Sequence, residues 1–159
     1  MADSFGRDIV IHHLDLLFNI KSSDILTELH FIYSKKTGRI KSFGSKETSF
    51  GTLRSDGGIA LTIEGAQALF KTIDFRENCV IPKHEAIPFI REGKSLFCKH
   101  ILWIGSNIKV GSECVVIDND GKILAVGKSL IYSLCFKSNV KRGIAIKIRK
   151  GLKSRAINE

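Results

Sequence analysis

A chain of 159 residues, 43% hydrophobic and 26% charged, has the length and make-up of an ordinary globular protein of one domain or two small ones. No apolar run approaches the ~18 residues that span a bilayer, and the start, Met1 to Asp8, lacks the basic-then-apolar pattern of a signal peptide, so a cytoplasmic protein with no membrane partner is expected. The net charge of +9 lies wholly in one half: residues 1–78 hold 10 Lys+Arg against 10 Asp+Glu, residues 79–159 hold 15 against 6, and such lopsidedness points the second half toward a polyanion.

The chain opens on a helix that Asp3 or Ser4 can cap, with Val10, Leu14, Leu17 and Phe18 on one face. Lys21-Ser22-Ser23-Asp24 breaks it. Strands follow at Leu26–Tyr33, Ile40–Phe43, Thr48–Leu53 and Ile59–Leu61. The turns between them are Ser34 to Arg39, Gly44 to Glu47, and Ser55-Asp56-Gly57-Gly58, where glycine admits positive φ. Thr62 then caps a second helix whose stripe is Ile63, Ala66, Leu69, Phe70 and Ile73. Helix, antiparallel meander and helix make a compact α+β unit, and the charged stretch Lys71 to Asn78 is the boundary candidate.

The second half begins with a short strand, Cys79–Pro82, and a short helix, Glu85–Arg91, in which Pro88 must sit in the first turn. Gly93 fits the position just past its end. Short strands are then expected at Leu96–Lys99, Ile101–Ile104, Glu113–Asp118, Lys122–Val126, Leu130–Cys135 and Ile144–Arg149. Short strands between Gly, Asn and Ser turns, with one small helix, describe a closed or nearly closed β-barrel. The domains read as 1–77 and 78–152, with a polar tail over 153–159.

Several motifs that invite chemistry fail on inspection. Asp118-Asn119-Asp120-Gly121 lacks the further ligands of a calcium loop and is flanked by β-type runs, so it is a hairpin turn. Gly93-Lys94-Ser95 and Gly127-Lys128-Ser129 resemble the end of a phosphate-binding P-loop, but the glycine required five residues earlier is Pro88 in one and Lys122 in the other. These glycines still allow close approach of backbone N–H groups to a ligand. Cys79, Cys98, Cys114 and Cys135 are too widely spaced for a zinc site, and Cys98, Cys114 and Cys135 read as buried small hydrophobes. His12, His13, His30, His84 and His100 form no metal or triad pattern. No catalytic centre, metal or cofactor is expected.

The clearest signal is the last strand. Side chains alternate, so Ile144, Ile146 and Ile148 should face the core and Lys147 and Arg149 should point outward about 7 Å apart, with Arg142 and Lys150 flanking them. Lys94, Lys99 and His100 surround Phe97, and Lys128 lies in the preceding strand region. Cations beside a stacking ring suit a single-stranded RNA end better than duplex DNA.

These same residues carry a family resemblance. Gly93 to Lys99, Ile108 to Glu113, Leu124 to Lys128 and Arg142 to Gly151 resemble a PUA domain, a small pseudo-barrel RNA-binding module. Phe5-Gly6, Ser34 to Ile40, Gly51 to Gly57 and Leu61 to Ala66 are similar to the domain that precedes PUA in archaeal tRNA-guanine transglycosylase, which installs the archaeosine precursor. The resemblance implies a PUA surface that grips the acceptor stem and 3′ end of tRNA and a preceding domain that helps hold the tRNA arms. The family's catalytic barrel, with its aspartates and zinc site, has no counterpart in these residues. A non-catalytic tRNA-binding protein serving a separately encoded transglycosylase subunit is therefore expected. The rival expectation is a translation or ribosome factor that binds rRNA or an initiation complex.

Overall fold

In the computed structural model, residues 3–137 and 142–154 are described, and the side chains of Cys135 and Lys137 fall outside that set. The expected burial of Cys135 and most of the tail over 153–159 therefore lie outside the described residues. The chain divides into two compact units, Met1–Phe75 and Arg76–Glu159.

The first unit begins with α1 (Ser4–Phe18), capped by Asp3, whose carboxylate accepts the Gly6 N–H at 2.8 Å. Val10, Ile11, Leu14 and Phe18 are buried on it. Leu17, expected on this stripe, is exposed instead. At 100° per residue the stripe centres near Leu14 and Phe18, and its edge is taken by Ile11 rather than Leu17. Asn19, at φ 52°, ends the helix. Beyond it, Asp15 accepts both the N–H and the hydroxyl of buried Ser22, at 2.8 and 2.6 Å. The amides of Ile25 and Leu26 then bond the Ser22 carbonyl. This local turn consumes residues expected in the first strand, so β1 is only His30–Tyr33.

β2 (Ile40–Gly44), β3 (Ser49–Leu53) and β4 (Ile59–Leu61) complete an antiparallel meander in the order β1-β2-β3-β4. Thr62 caps α2 (Ile63–Leu69) by accepting the Gly65 N–H at 2.9 Å. Ile73 was expected to extend the stripe of α2, yet it is almost fully exposed. The helix stops at Phe70, and a 3-10 turn over Ile73–Asn78 brings Phe75 into the core instead. Its ring lies 5.5 Å from that of Phe18 and 6.4 Å from that of Phe70.

The second unit is built on β5 (Cys79–Pro82), β6 (Leu96–Phe97), β7 (Ile101–Ile104), β8 (Glu113–Ile117), β9 (Ile123–Ser129) and β10 (Ile144–Gly151). Their order is β6-β10-β9-β8-β5-β7, with β5 and β8 parallel and the other pairs antiparallel. The result is a nearly closed barrel-like sheet, so the α+β class with a barrel second half holds for the described residues. Val80, Ile90, Leu96, Ile108, Val116, Leu124 and Ile146 fill its core. A short helix, α3 (Ile87–Arg91), carries Pro88 in its first turn and is followed by Gly93 at φ 92°. The Asp118–Gly121 segment is a turn: Asp118 accepts the N–H groups of Asp120 and Lys122 at 2.9 and 2.8 Å, and Gly121 has φ 82°.

Two expected strands are corrected. Leu96–Lys99 forms a two-residue strand and then a 3-10 turn over Cys98–His100. Leu130–Cys135 is not a strand either. The Leu130 N–H makes a last ladder-like bond to the Ala145 carbonyl, the Ser129 hydroxyl turns back onto Ile131, and α4 (Ser133–Lys137) follows. Its apolar residues imitate strand alternation while leaving Tyr132 and Leu134 exposed.

The Glu77 carboxylate accepts the Ser106 hydroxyl at 2.6 Å and the Ser106 N–H at 2.8 Å. These bonds hold its carboxyl below the usual carboxylate value, the hydroxyl contributing most. In the unfolded chain the group returns to its ordinary value. The stabilisation is therefore complete above that ordinary value and is lost as pH falls through the lower folded value. Glu77→Gln is accordingly expected to lower the urea midpoint at pH 7, with the gap to the parent protein closing toward pH 3. A gap independent of pH would refute that assignment.

Candidate nucleic-acid interface

The cations of the second unit form two groups, each organised by β10. The first lies where β10 meets β6. Phe97 is paired with Ile144 across the strands, and the Cys98 N–H bonds the Gly143 carbonyl at 2.9 Å. Those bonds bring Lys99 and Arg142, the chain neighbours of Cys98 and Gly143, to the flanks of the pair. Both are exposed. Phe97 and Ile144 are 44% and 40% exposed, so an apolar platform stands open beside cations.

Ile144 corrects the expected core face of this strand. Ala145 and Ile146 are both buried, followed by exposed Lys147, buried Ile148, and exposed Arg149 and Lys150. The register slips between Ile144 and Ile146 against β6, and again between Ile148 and Lys150 against β9. Each slip inserts a residue and resets which face the next side chain takes. Three isoleucines at period two concealed this.

Lys94 follows α3 beside Gly93. Its ammonium stands 5.2 Å from the centroid of the Phe89 ring and 3.9 Å from the Glu92 carboxylate. His100 ends the 3-10 turn with Nε2 3.9 Å from the Glu85 carboxylate.

The second group crosses the sheet. Lys147 on β10 stands opposite Lys128 on β9, which in turn stands opposite Glu113 on β8. Directly opposed residues share a face, so two lysines and one carboxylate form a row. Arg149 reaches the same carboxylate with both guanidinium nitrogens: Nη1 donates to Oε1 at 2.8 Å, and Nη2 donates to Oε2. Glu113 is largely buried under this pair. The carboxylate thus orients Arg149 and subtracts one charge from the row, an arrangement the sequence reading missed. The only sequence hint is that Glu113 opens an otherwise apolar strand.

The expected role of Gly127 in admitting a ligand to the backbone is also corrected. Gly127 sits inside the β9–β10 pairing opposite Ile148, and a Cβ there would collide with the Lys147 carbonyl oxygen. The partner strand occupies the space a ligand would need. The three described thiols are equally uninvolved: that of Cys79 is pushed up to about 12 by burial, and burial raises Cys98 and Cys114 as well.

Taken together, the site is an exposed ring and isoleucine beside Lys99 and Arg142, with Lys147 on the same strand and Lys128 opposite it on β9. It can bind phosphates and stack a base, and no nucleophile or general base converges on it among the described residues.

Residues 79–152 match the family model of the PUA domain. Over 142 residues the chain is 32% identical to a tRNA-guanine(15) transglycosylase of Methanobrevibacter smithii, an alignment covering 87% of this chain and 21% of that protein. The corresponding protein of Methanothermobacter thermautotrophicus is 33% identical over 142 residues, covering 86% and 21%. The chain thus spans about a fifth of the length of these relatives, and the part it matches is C-terminal. Among solved structures, a hypothetical protein of Pyrococcus horikoshii superposes with a TM-score of 0.70 at 20% identity, covering 94% of this chain and 93% of that one. A PUA-domain structure from Aeropyrum pernix superposes at 0.66 with 15% identity, covering 97% and 85%. Residues 79–152 of this chain are thus a PUA domain, an RNA-binding fold, within a chain similar to the C-terminal part of the archaeal tRNA-guanine(15) transglycosylases.

Proposed function

We propose that this protein binds tRNA without doing chemistry on it. It grips the acceptor stem and 3′ end and presents the molecule to a separately encoded tRNA-guanine transglycosylase or related archaeosine-pathway enzyme. The observation that carries this reading is the exposed Phe97–Ile144 pair flanked by Lys99 and Arg142, with Lys147 and Lys128 on the adjoining strands. An unstacked terminal base can lie on the ring while the lysines meet the phosphates leading to it. Similarity to transglycosylases named for a tRNA guanine supports tRNA as the RNA.

The test is binding of native tRNA at several salt concentrations, compared with the same tRNA lacking its single-stranded 3′ end and with a fragment of ribosomal RNA. Intact tRNA is expected to bind at least tenfold tighter than either control. Equal affinity for all three would reduce the site to a general polyanion surface, and preference for the ribosomal fragment would move the protein to the translation machinery.

A further inference from the structure

The first unit carries a site of its own. Its sequence is electrically balanced, yet its charges are segregated. The β1–β2 and β3–β4 loops lie at the same end of the meander. With the first turns of α1 they enclose an open groove of about 1000 Å³. Its apolar lining includes Phe5, Ile9, Ile32, Tyr33 and Leu53, and Phe5 and Ile32 are 76% and 63% exposed. Its charged lining is Lys35, Arg39, Lys41 and Arg54, with His13, and no Asp or Glu among the described residues lines it. None of these four cations pairs with an acid among the described residues. Two acids of the same unit are engaged locally: Asp3 accepts the Gly6 N–H, and Asp56 accepts the Gly58 N–H at 2.9 Å.

We propose that this groove docks an acidic amphipathic segment of a protein partner. The inference rests on the proposed function only in that a separately encoded enzyme would supply such a segment. Exposed apolar area of this kind, rimmed by one sign of charge, calls for an occupant that is apolar on one side and anionic on the other. A single strand of RNA brings the charge and is the competing occupant. Bases, however, bind by stacking on flat rings and by hydrogen-bonding their edges; Phe5 and Tyr33 can stack one, but Ile9, Ile32 and Leu53 offer neither. Leucine, isoleucine or phenylalanine side chains of a peptide fill such a lining directly, while its carboxylates meet Arg39 and Arg54, whose guanidinium forks pair carboxylates in bidentate fashion.

The probe is a synthetic 16-residue peptide with leucines on one helical face and glutamates on the other. It is titrated into the isotope-labelled full chain and followed by amide NMR. Saturable shifts are expected at Ile32, Tyr33, Arg39 and Arg54. Ile32→Ser together with Arg39→Ser, both at exposed positions, should weaken binding at least tenfold while leaving the melting temperature and the tRNA affinity unchanged. A lysine-for-glutamate version of the peptide should not bind. Absence of shifts in the groove, or displacement of the peptide by oligouridylate at equal concentration, would overturn the proposal. Loss of tRNA binding in Phe97 and Lys147 variants is read separately, so failure of the groove and failure of the PUA surface remain distinguishable.

Discussion

Replacing Gly127 with alanine is expected to destabilise the second unit by about 3 kcal/mol, at the upper end of what overpacking costs. The Cβ would fall on the Lys147 carbonyl oxygen and stand 3.0 Å from Ile148 Cα, and neither atom is the end of a flexible side chain. Both belong to the strand that carries the cation row, so relief requires moving β10 away from β9 and breaking the ladder that holds it. For a domain of this size the loss corresponds to roughly 12–24 °C in melting temperature. Gly38→Ala is the control, because Gly38 has φ 68° yet nothing within 4 Å of the added atom. Strain without crowding there costs about 1 kcal/mol. Circular dichroism melts of the two variants decide the matter: a Gly127 variant no worse than the Gly38 variant would refute the crowding argument.

The second large effect concerns RNA. Phe97→Ala, Lys128→Ala and Lys147→Ala combined are expected to lower tRNA affinity about 100-fold at 0.15 M salt. Loss of one stacked base contributes about 1–3 kcal/mol, and each lost phosphate contact lowers the salt slope by about 1. A plot of log affinity against log salt should therefore become shallower by about 2. Arg149→Ala belongs to a different class. Its guanidinium is held by Glu113, so the substitution releases a largely buried carboxylate beside Lys128 rather than simply removing a phosphate ligand. Affinity of the triple variant within twofold of the parent would show that RNA meets another face.

Much of this architecture was legible in the chain itself. Turn chemistry at Gly38, Gly57 and Gly121, caps at Asp3 and Thr62, and Pro88 at a helix start are local features, encoded within a few residues, and they placed most elements. The strand ending at Cys135 failed because Leu130, Tyr132 and Leu134 alternate like a strand, whereas pairing to β10 stops at the Leu130 N–H bond to the Ala145 carbonyl and α4 follows. The core face of β10 failed for a related reason, since period-two alternation presumes an unbroken ladder. The slips around Ile144 and Lys150 are imposed by the partner strands β6 and β9.

Sequence by itself determined the α+β class, the barrel character of the second half and the gathering of excess positive charge there, because periodicity, turn residues and composition are properties of neighbours along the chain. Only the tertiary structure decided which cations are available. Lys128 and Lys147, 19 residues apart, meet across a strand pair, and Glu113, 36 residues before Arg149, occupies the guanidinium expected to bind phosphate. It also exposed Ile144 beside Phe97 and enclosed four cations of a neutral half in one groove. These are pairings between distant segments. They depend on strand register, which no single segment specifies alone.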